Sequence, residues 1–398
     1  MNIIVSAGGT GGHINPALAL INEFKKQEKN LNVLYIGTHN RMEKDIVPKL
    51  GIKYESLEIY GFSKTQIARD FKNIFLIKNA IKKCNKIMDD FKPDVVIGAG
   101  GYVTMPVIYS AKKKNIPTVI LEQNSIPGKT NKVLAKNCDL VCTSYENSNK
   151  YFTKAKKCIC TGNPVDLKIN SLSKIDLGFH KNKKLLLIVS GSLGSETLNN
   201  FFISLLSKIN EEDNYEVLYI TGKSYYDEFI NNKSFSKNIK ILPFLENMSS
   251  LFYDVDLIIT RAGASTLAEI MQANLPSIII PSPYVAGNHQ YYNALDLTER
   301  GLAKVYEEKN LNVDKLYKDI NNLLSNNDEY KTMKENLNKL NKVKSSKIIY
   351  DEIKKHRVRY SMTGRINYQK NSQLQEQRIL SIVYTYSHSE TQLYSFTS

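Results

Sequence analysis

The chain lacks most of what would anchor it in a membrane, staple it covalently or build a metal centre. Its apolar runs are short, such as 118–121 and 277–280, far from the ~18–20 residues that cross a bilayer. The start, Met-Asn-Ile-Ile-Val-Ser-Ala-Gly-Gly, has no charged leader and too little apolar length for a signal peptide, so a cytoplasmic chain is expected. Cysteine is sparse and odd in number. Cys84, Cys138, Cys142, Cys158 and Cys160 form no Cys-x-x-Cys pair, and no histidine follows at zinc spacing, so reduced thiols and no metal site are expected. No Gly-Lys-Ser/Thr closes any of its glycine loops, which excludes a Walker loop. No nucleic-acid-binding motif or basic-aromatic interleaving is present either.

What the chain does have is length and positive charge. At 398 residues it is too long for one ordinary core, and two domains are expected. Hydrophobic residues at 42% and charged residues at 23% are those of a folded globular chain rather than a disordered one. The net charge of +15 is uneven: residues 1–160 carry +12, residues 161–355 none, and residues 356–398 the remaining +3. The excess in the first half fits nucleic acid, an anionic membrane surface or solubility alone.

Short apolar segments bounded by turn residues alternate with helical patterns along both halves. The first half has them at 3–6, 33–36, 95–97, 118–121 and 140–143, and the second at 185–189, 217–220, 239–242, 257–260 and 277–280. Ala17, Leu18, Leu20, Ile21 and Phe24 make one face of a first helix. Strands alternating with helices predict parallel sheets covered on both faces, here two doubly wound domains in tandem. Gly162-Asn163-Pro164 marks the join. The expected division is 1–161, 162–340, a C-terminal helix over 341–355 and an atypical Ser-, Tyr- and Gln-rich tail over 356–398, with a ligand cleft between the domains.

Three glycine loops follow strands and open helices: Gly8-Gly9-Thr10-Gly11-Gly12-His13, Gly98-Ala99-Gly100-Gly101-Tyr102 and Ser190-Gly191-Ser192-Leu193-Gly194-Ser195. Glycine lets the backbone approach a ligand, and a helix N-terminus presents amides and a positive dipole end to phosphate. Any one of these loops is explained equally by a tight turn, but three at equivalent places suggest a diphosphate ligand. The first lacks the acidic residue of a dinucleotide fingerprint. His13 sits where a helix begins, which disfavours the imidazolium and leaves a neutral ring able to take a proton; a capping role is the alternative.

In the second half, Ser265 and Thr266 of Arg261-Ala262-Gly263-Ala264-Ser265-Thr266 are positioned to cap the next helix. Glu269, one turn beyond Ser265, is placed to accept hydrogen bonds from a vicinal diol such as ribose. The cluster Gly287-Asn288-His289-Gln290-Tyr291-Tyr292-Asn293-Ala294 suits sugar hydroxyls, or an ordinary loop and cap.

These motifs, with Glu122-Gln123-Asn124 and Gly162-Asn163-Pro164-Val165, make residues 1–355 resemble the MurG-type transferases of peptidoglycan synthesis. The resemblance implies a GT-B fold of two Rossmann-like α/β domains. It also implies an inverting transfer of N-acetylglucosamine from UDP-N-acetylglucosamine to undecaprenyl-diphosphate-linked muramoyl-pentapeptide. Another GT-B transferase with a lipid acceptor, or a UDP-N-acetylglucosamine 2-epimerase, is the alternative. By that resemblance Thr10, Gly11, Gly12 and Asn124 contact donor or acceptor, and Gly100, Gly101 and Tyr102 the acceptor diphosphate. Ser192 binds donor phosphate, Leu245 lies by the uracil, Ala264, Ser265, Thr266, Leu267, Ala268 and Glu269 hold phosphate and ribose, and Gln290 holds sugar hydroxyls. Two positions depart from the family pattern: Asp166 replaces an arginine and Leu193 a glutamine.

The expected chemistry uses His13 as the base and helix N-termini to steady the leaving diphosphate, without metal or cofactor. A lipid-linked acceptor places the work at the cytoplasmic membrane face. Phe71, Ile74, Phe75, Lys78 and Ile81 at helical spacing, beside Lys72, Lys82 and Lys83, are the candidate for peripheral binding to anionic lipid; a core-facing helix with a solvated lysine face is the alternative. No nucleic-acid partner is expected.

Overall fold

A computed structural model describes residues 1–61, 67–136, 138–167, 172–190, 194–231, 234–325, 327–340 and 344–363. Side chains are described from Asn73 onward in the long third helix and as far as Lys355 in the last one, except that of Ala286.

The chain forms two compact units. Of the described residues, one comprises those within 1–123 and 127–164 with 345–363; the other comprises those within 124–126 and 165–344. The first unit runs β1 (Asn2–Ser6), α1 (Gly11–Gln27), β2 (Asn32–Thr38), α2 (Glu43–Lys49), β3 (Lys53–Leu57), α3 (Ile67–Phe91), β4 (Val95–Gly98), α4 (Thr104–Lys113), β5 (Thr118–Glu122), α5 (Lys129–Leu134), β6 (Leu140–Thr143) and β7 (Cys158–Cys160). Its seven strands lie in the order β3-β2-β1-β4-β5-β6-β7, all parallel. Side-chain alternation splits β1 between two cores. Ile4 packs with Val96, Ile120 and the buried faces of α3 and α4, while Ile3 and Val5 pack with Ala17, Leu20, Ile21 and Phe24 of α1. A strand buried on both faces reads as a continuous apolar run, which is why the central strands were visible in the sequence. The edge strands β3, with Lys53, Tyr54 and Glu55, and β7, only three residues long, were not.

The second unit runs β8 (Lys184–Val189), α6 (Glu196–Leu206), β9 (Tyr215–Ile220), α7 (Tyr226–Ile230), β10 (Ile239–Leu242), β11 (Leu257–Thr260), α8 (Ala264–Ala273), β12 (Ser277–Ile279), α9 (His289–Glu299), β13 (Lys304–Val305), α10 (Val313–Leu324) and α11 (Asp328–Asn338). Its sheet has the order β10-β9-β8-β11-β12-β13, again all parallel. The two-residue β13 is the strand here that the sequence did not reveal.

The last helix, α12 (Ser345–Thr363), does not stop at residue 355. Neither proline nor glycine interrupts 345–363, and Gly364 follows. It packs into the first unit, where Ile349, Tyr350 and Ile353 join the core of α1. The ring of Tyr350 meets Phe24 edge-on at 5.0 Å. Glu28 accepts from Tyr350 at 2.7 Å and Lys354 at 2.6 Å, which holds its carboxyl below its ordinary range.

Candidate active site

In each sheet the strand order reverses direction next to the first strand. An open α/β sheet leaves a crevice there, at the carboxyl ends of the strands. In the first unit the reversal falls between β1 and β4, whose following loops are Gly8–His13 and Gly98–Tyr102. In the second it falls between β8 and β11, followed by Ser190–Ser195 and Arg261–Gly263. The glycine loops therefore cluster by topology, pairwise, at the switch point of each unit.

The two loops of the first unit interlock. Gly8 N–H donates to Gly100 O at 3.2 Å. Gly100 and Gly101 take φ of +111° and +88°. A side chain at Gly100 would strike the ring of His13, and one at Gly101 would strike Gly8 O. Thr10 is the N-cap of α1 but makes no side-chain cap bond, so its exposed hydroxyl is not spent on the helix. The amides of Gly11 and Gly12 lie in the first turn, where no intrahelical acceptor exists. His13, half-buried, places Nδ1 3.1 Å from Gly8 O. A carbonyl oxygen only accepts, so Nδ1 carries the proton and, in the neutral ring, Nε2 is the atom that accepts one. Tyr102 packs its ring against Gly61. Gln123 donates to Ala99 O at 2.8 Å, and buried Glu122 accepts from Asn131 at 2.9 Å and Gly128 N–H at 3.1 Å. These two side chains brace the strand ends.

In the second unit the structure corrects the cap at α8. Gly263 is the N-cap, and Ser265 and Thr266 lie inside the helix, since a glycine with extended backbone already turns the chain in. The amides of Ala264, Ser265 and Thr266 remain in the first turn, while Leu267 N–H is committed to Gly263 O at 2.9 Å. Leu267 and Ala268 are buried and serve the core. The hydroxyl of Ser265 is buried with no partner among the described residues. Glu269 is half-buried, and desolvation pushes its carboxyl up to about 7. A carboxyl raised on folding stabilises the fold fully below its unfolded value near 4.5, and that contribution is lost as pH rises through 7. Glu269→Gln is therefore expected to raise the melting temperature at pH 8 and leave it unchanged at pH 5, by an amount equivalent to roughly 2–4 kcal/mol at most. Equal shifts at both pH values would refute the assignment.

Gln290 accepts Ser282 N–H at 2.9 Å, so its amide nitrogen is the end left to meet a ligand. Leu245 is half-buried between β10 and the turn at 248–253. Asn124 accepts from Asn293 at 3.2 Å. Ser192 and Leu193 lie outside the described residues. Gly194 takes φ +79°, and a Cβ there would lie 2.5 Å from Thr221 O. Asp166 is exposed.

Two residues that lie within the sequence motifs but receive no role of their own from the sequence hold this region together. Arg261, buried at the end of β11, donates from Nη2 to Ser195 Oγ at 3.0 Å and from Nη1 to Ile280 O and Pro281 O at 3.3 and 3.4 Å. Its Nη1 also lies 2.5 Å from Glu308 Oε2, an ion pair outside hydrogen-bond angles. Ser195 in turn caps α6 through Leu198 N–H, so Arg261 couples the loops after β8, β11 and β12. Asn293 is fully buried; it accepts Ser125 N–H at 2.8 Å and donates to Ala262 O at 3.3 Å. An arginine directly after a buried strand was the available signal; its partners are distant in sequence.

Of the membrane candidates, Phe71 and Lys72 have no described side chains. Phe75 is 68% exposed, but Ile81 is in the core. Lys82 is exposed, and Lys83 is held by Glu55 at 2.8 Å and Ser56 O at 2.9 Å. No helix among the described residues is long and apolar enough to cross a membrane.

Paired parallel-sheet units, with amide-bearing loops at both switch points, are the architecture of a GT-B glycosyltransferase. Residues 3–143 match the glycosyltransferase family 28 N-terminal domain and residues 185–349 its C-terminal domain. A UDP-N-acetylglucosamine–N-acetylmuramyl-(pentapeptide) pyrophosphoryl-undecaprenol N-acetylglucosamine transferase of Thermoanaerobacter sp. (strain X514) is 40% identical over 363 residues, which is 89% of this chain and 99% of that one. The transferase of the same name from Halalkalibacterium halodurans is 43% identical over 331 residues, 81% of this chain and 91% of that one. The crystal structure of Acinetobacter baumannii MurG superposes with a TM-score of 0.68 at 25% identity, covering 89% of this chain and 99% of that one. The chain belongs to this family of N-acetylglucosamine transferases, the MurG type of glycosyltransferase family 28.

Proposed function

We propose that the protein moves N-acetylglucosamine from UDP-N-acetylglucosamine to the C4 hydroxyl of the N-acetylmuramic acid on undecaprenyl-diphosphate-linked muramoyl-pentapeptide, a step of cell-wall synthesis. The observation that carries this is the 40% identity across nearly the full length of a transferase so named, in a chain that keeps the glycine loops and His13. The hydroxyl oxygen bonds to the anomeric carbon as the bond to the UDP β-phosphate oxygen breaks on the opposite face. An α-linked donor then gives a β-linked product.

The hydroxyl proton goes to Nε2 of His13, whose tautomer the Nδ1 bond to Gly8 O supports. The amides of Gly11 and Gly12, with those after Gly100, offer donors to the acceptor diphosphate. On the donor side, the N-termini of α6 and α8 take up charge as UDP leaves, with Ser192 assigned to the diphosphate, Leu245 to the uracil, Glu269 to the ribose hydroxyls, and Gln290 and Asn124 to the sugar. The exposed Phe75 and, two turns further along α3, the exposed Lys82, on the unit that carries the positive excess, support peripheral work at the anionic cytoplasmic face.

The test is incubation with UDP-N-acetylglucosamine and the lipid-linked acceptor in EDTA. Lipid-linked disaccharide and UDP in equal amounts are expected, faster in anionic than in neutral vesicles. UDP release without acceptor would mark an epimerase instead, and strict metal dependence would overturn the role of the helix ends.

A further inference from the structure

Glu43, the first residue of α2, is fully buried, and no cation pairs with it among the described residues. A buried carboxylate without a counter-charge is costly unless hydrogen bonds satisfy it. Here they come from two places. Thr38, at the end of β2, donates its amide at 3.0 Å and its hydroxyl at 2.6 Å to Oε1. Gly9 N–H, in the loop that carries His13, donates to Oε2 at 3.3 Å. Gly8 and Gly37 press on the same side chain: a Cβ on Gly8 would lie 2.5 Å from Oε1, and one on Gly37 2.8 Å from Cγ.

We propose that Glu43 is a positioning residue for the transfer, and this rests on the reading of His13 as the base. Its carboxylate fixes the Gly8–Gly9 turn. That turn sets the direction of Gly8 O, and Gly8 O holds the proton of His13 on Nδ1. A carboxylate is required because all three donors must be met by acceptors. A glutamine turned either way sets its NH2 group against the amide of Gly9 or that of Thr38. Loss of the contact lets the turn relax, and the ring leaves its place.

The test is a cycle of Glu43→Gln and His13→Ala, each variant checked for folding by its melting transition. Glu43→Gln is expected to lower kcat on the order of 10-fold or more, as misplaced groups do, with KM for UDP-N-acetylglucosamine within about twofold of the parent. In the His13→Ala background it should cost nothing further. Nitrogen NMR of the labelled histidine rings, with His13 identified by its loss in His13→Ala, should show the Nδ1-protonated ring in the parent and loss of that preference in Glu43→Gln. A folded Glu43→Gln enzyme with parental kcat, or an equal loss in both backgrounds, would overturn the proposal. If His13→Ala alone is harmless, the base assignment falls, and the ring spectrum still decides whether Glu43 sets the tautomer. Should Glu43→Gln not fold, Thr38→Val removes the shortest of the three bonds and is expected to show the same effects more weakly; an unchanged kcat and ring spectrum there would also overturn it.

Discussion

His13→Ala is expected to lower kcat by ~10²–10⁴-fold, the range a general base contributes, while the melting temperature and the KM for the sugar nucleotide change little. The asymmetry follows from the packing. The loop does not depend on the ring for its shape, because Gly8 N–H bonds Gly100 O and Gly9 N–H bonds Glu43. The residues assigned to the donor lie mainly in the second unit, so removing an imidazole from the first leaves them in place. The measurement is steady-state kinetics on lipid-linked acceptor, with folding checked by circular dichroism. A folded variant whose turnover stays within a few-fold of the parent would remove His13 from the mechanism, and a rise in KM alone would make it a binding residue.

Arg261→Met carries the largest expected effect on stability. Arg261 and Glu308 keep only 10% and 7% of their side chains exposed. Taking away the cation strands the carboxylate, which costs ~3–5 kcal/mol. In a unit of this size that is a fall of roughly 6–20 °C in melting temperature. The loss should also reach the loops to which the donor is assigned, because Ser195 loses its bond from Nη2 and the cap of α6 slackens. The double variant Arg261→Met/Glu308→Met separates the two effects. It removes the stranded charge and is expected to recover most of the melting temperature, yet affinity for UDP stays low. Parental stability in the single variant would mean that Glu308 finds water or another partner, and the bridging role would be wrong.

Glu269 is another group of the second unit that folding perturbs. Its carboxyl is raised by burial alone, so a ligand that donates hydrogen bonds to it would favour its charged form. The role given to Glu269 by family resemblance and the stability change across neutral pH thus have one physical source.

Ile3–Val5, Val95–Ile97 and Leu257–Ile259 are buried on both faces of their sheets, so burial wrote itself into consecutive apolar residues. Helical spacing in 17–24 and glycine at the strand ends marked two α/β units and their loops. The sequence alone therefore determined the class of fold and where along the chain the loops lie. It was silent on β3, β7 and β13, because edge strands are short or half polar and their pairing comes from a neighbour rather than from their own pattern. It misplaced the cap of α8, because Gly263 and Ser265 are both acceptable N-caps and only the backbone path chooses between them. Strand order, and with it the switch points that gather the loops in pairs, was decided by how the crossovers pack on the sheets. The same holds for Glu43 beneath Gly9, Arg261 against Glu308 and Asn293 beneath Ser125. Each joins residues tens of positions apart or more, and the energy that selects them is the cost of leaving a buried charge or amide unmet, a cost that exists only once the chain has folded.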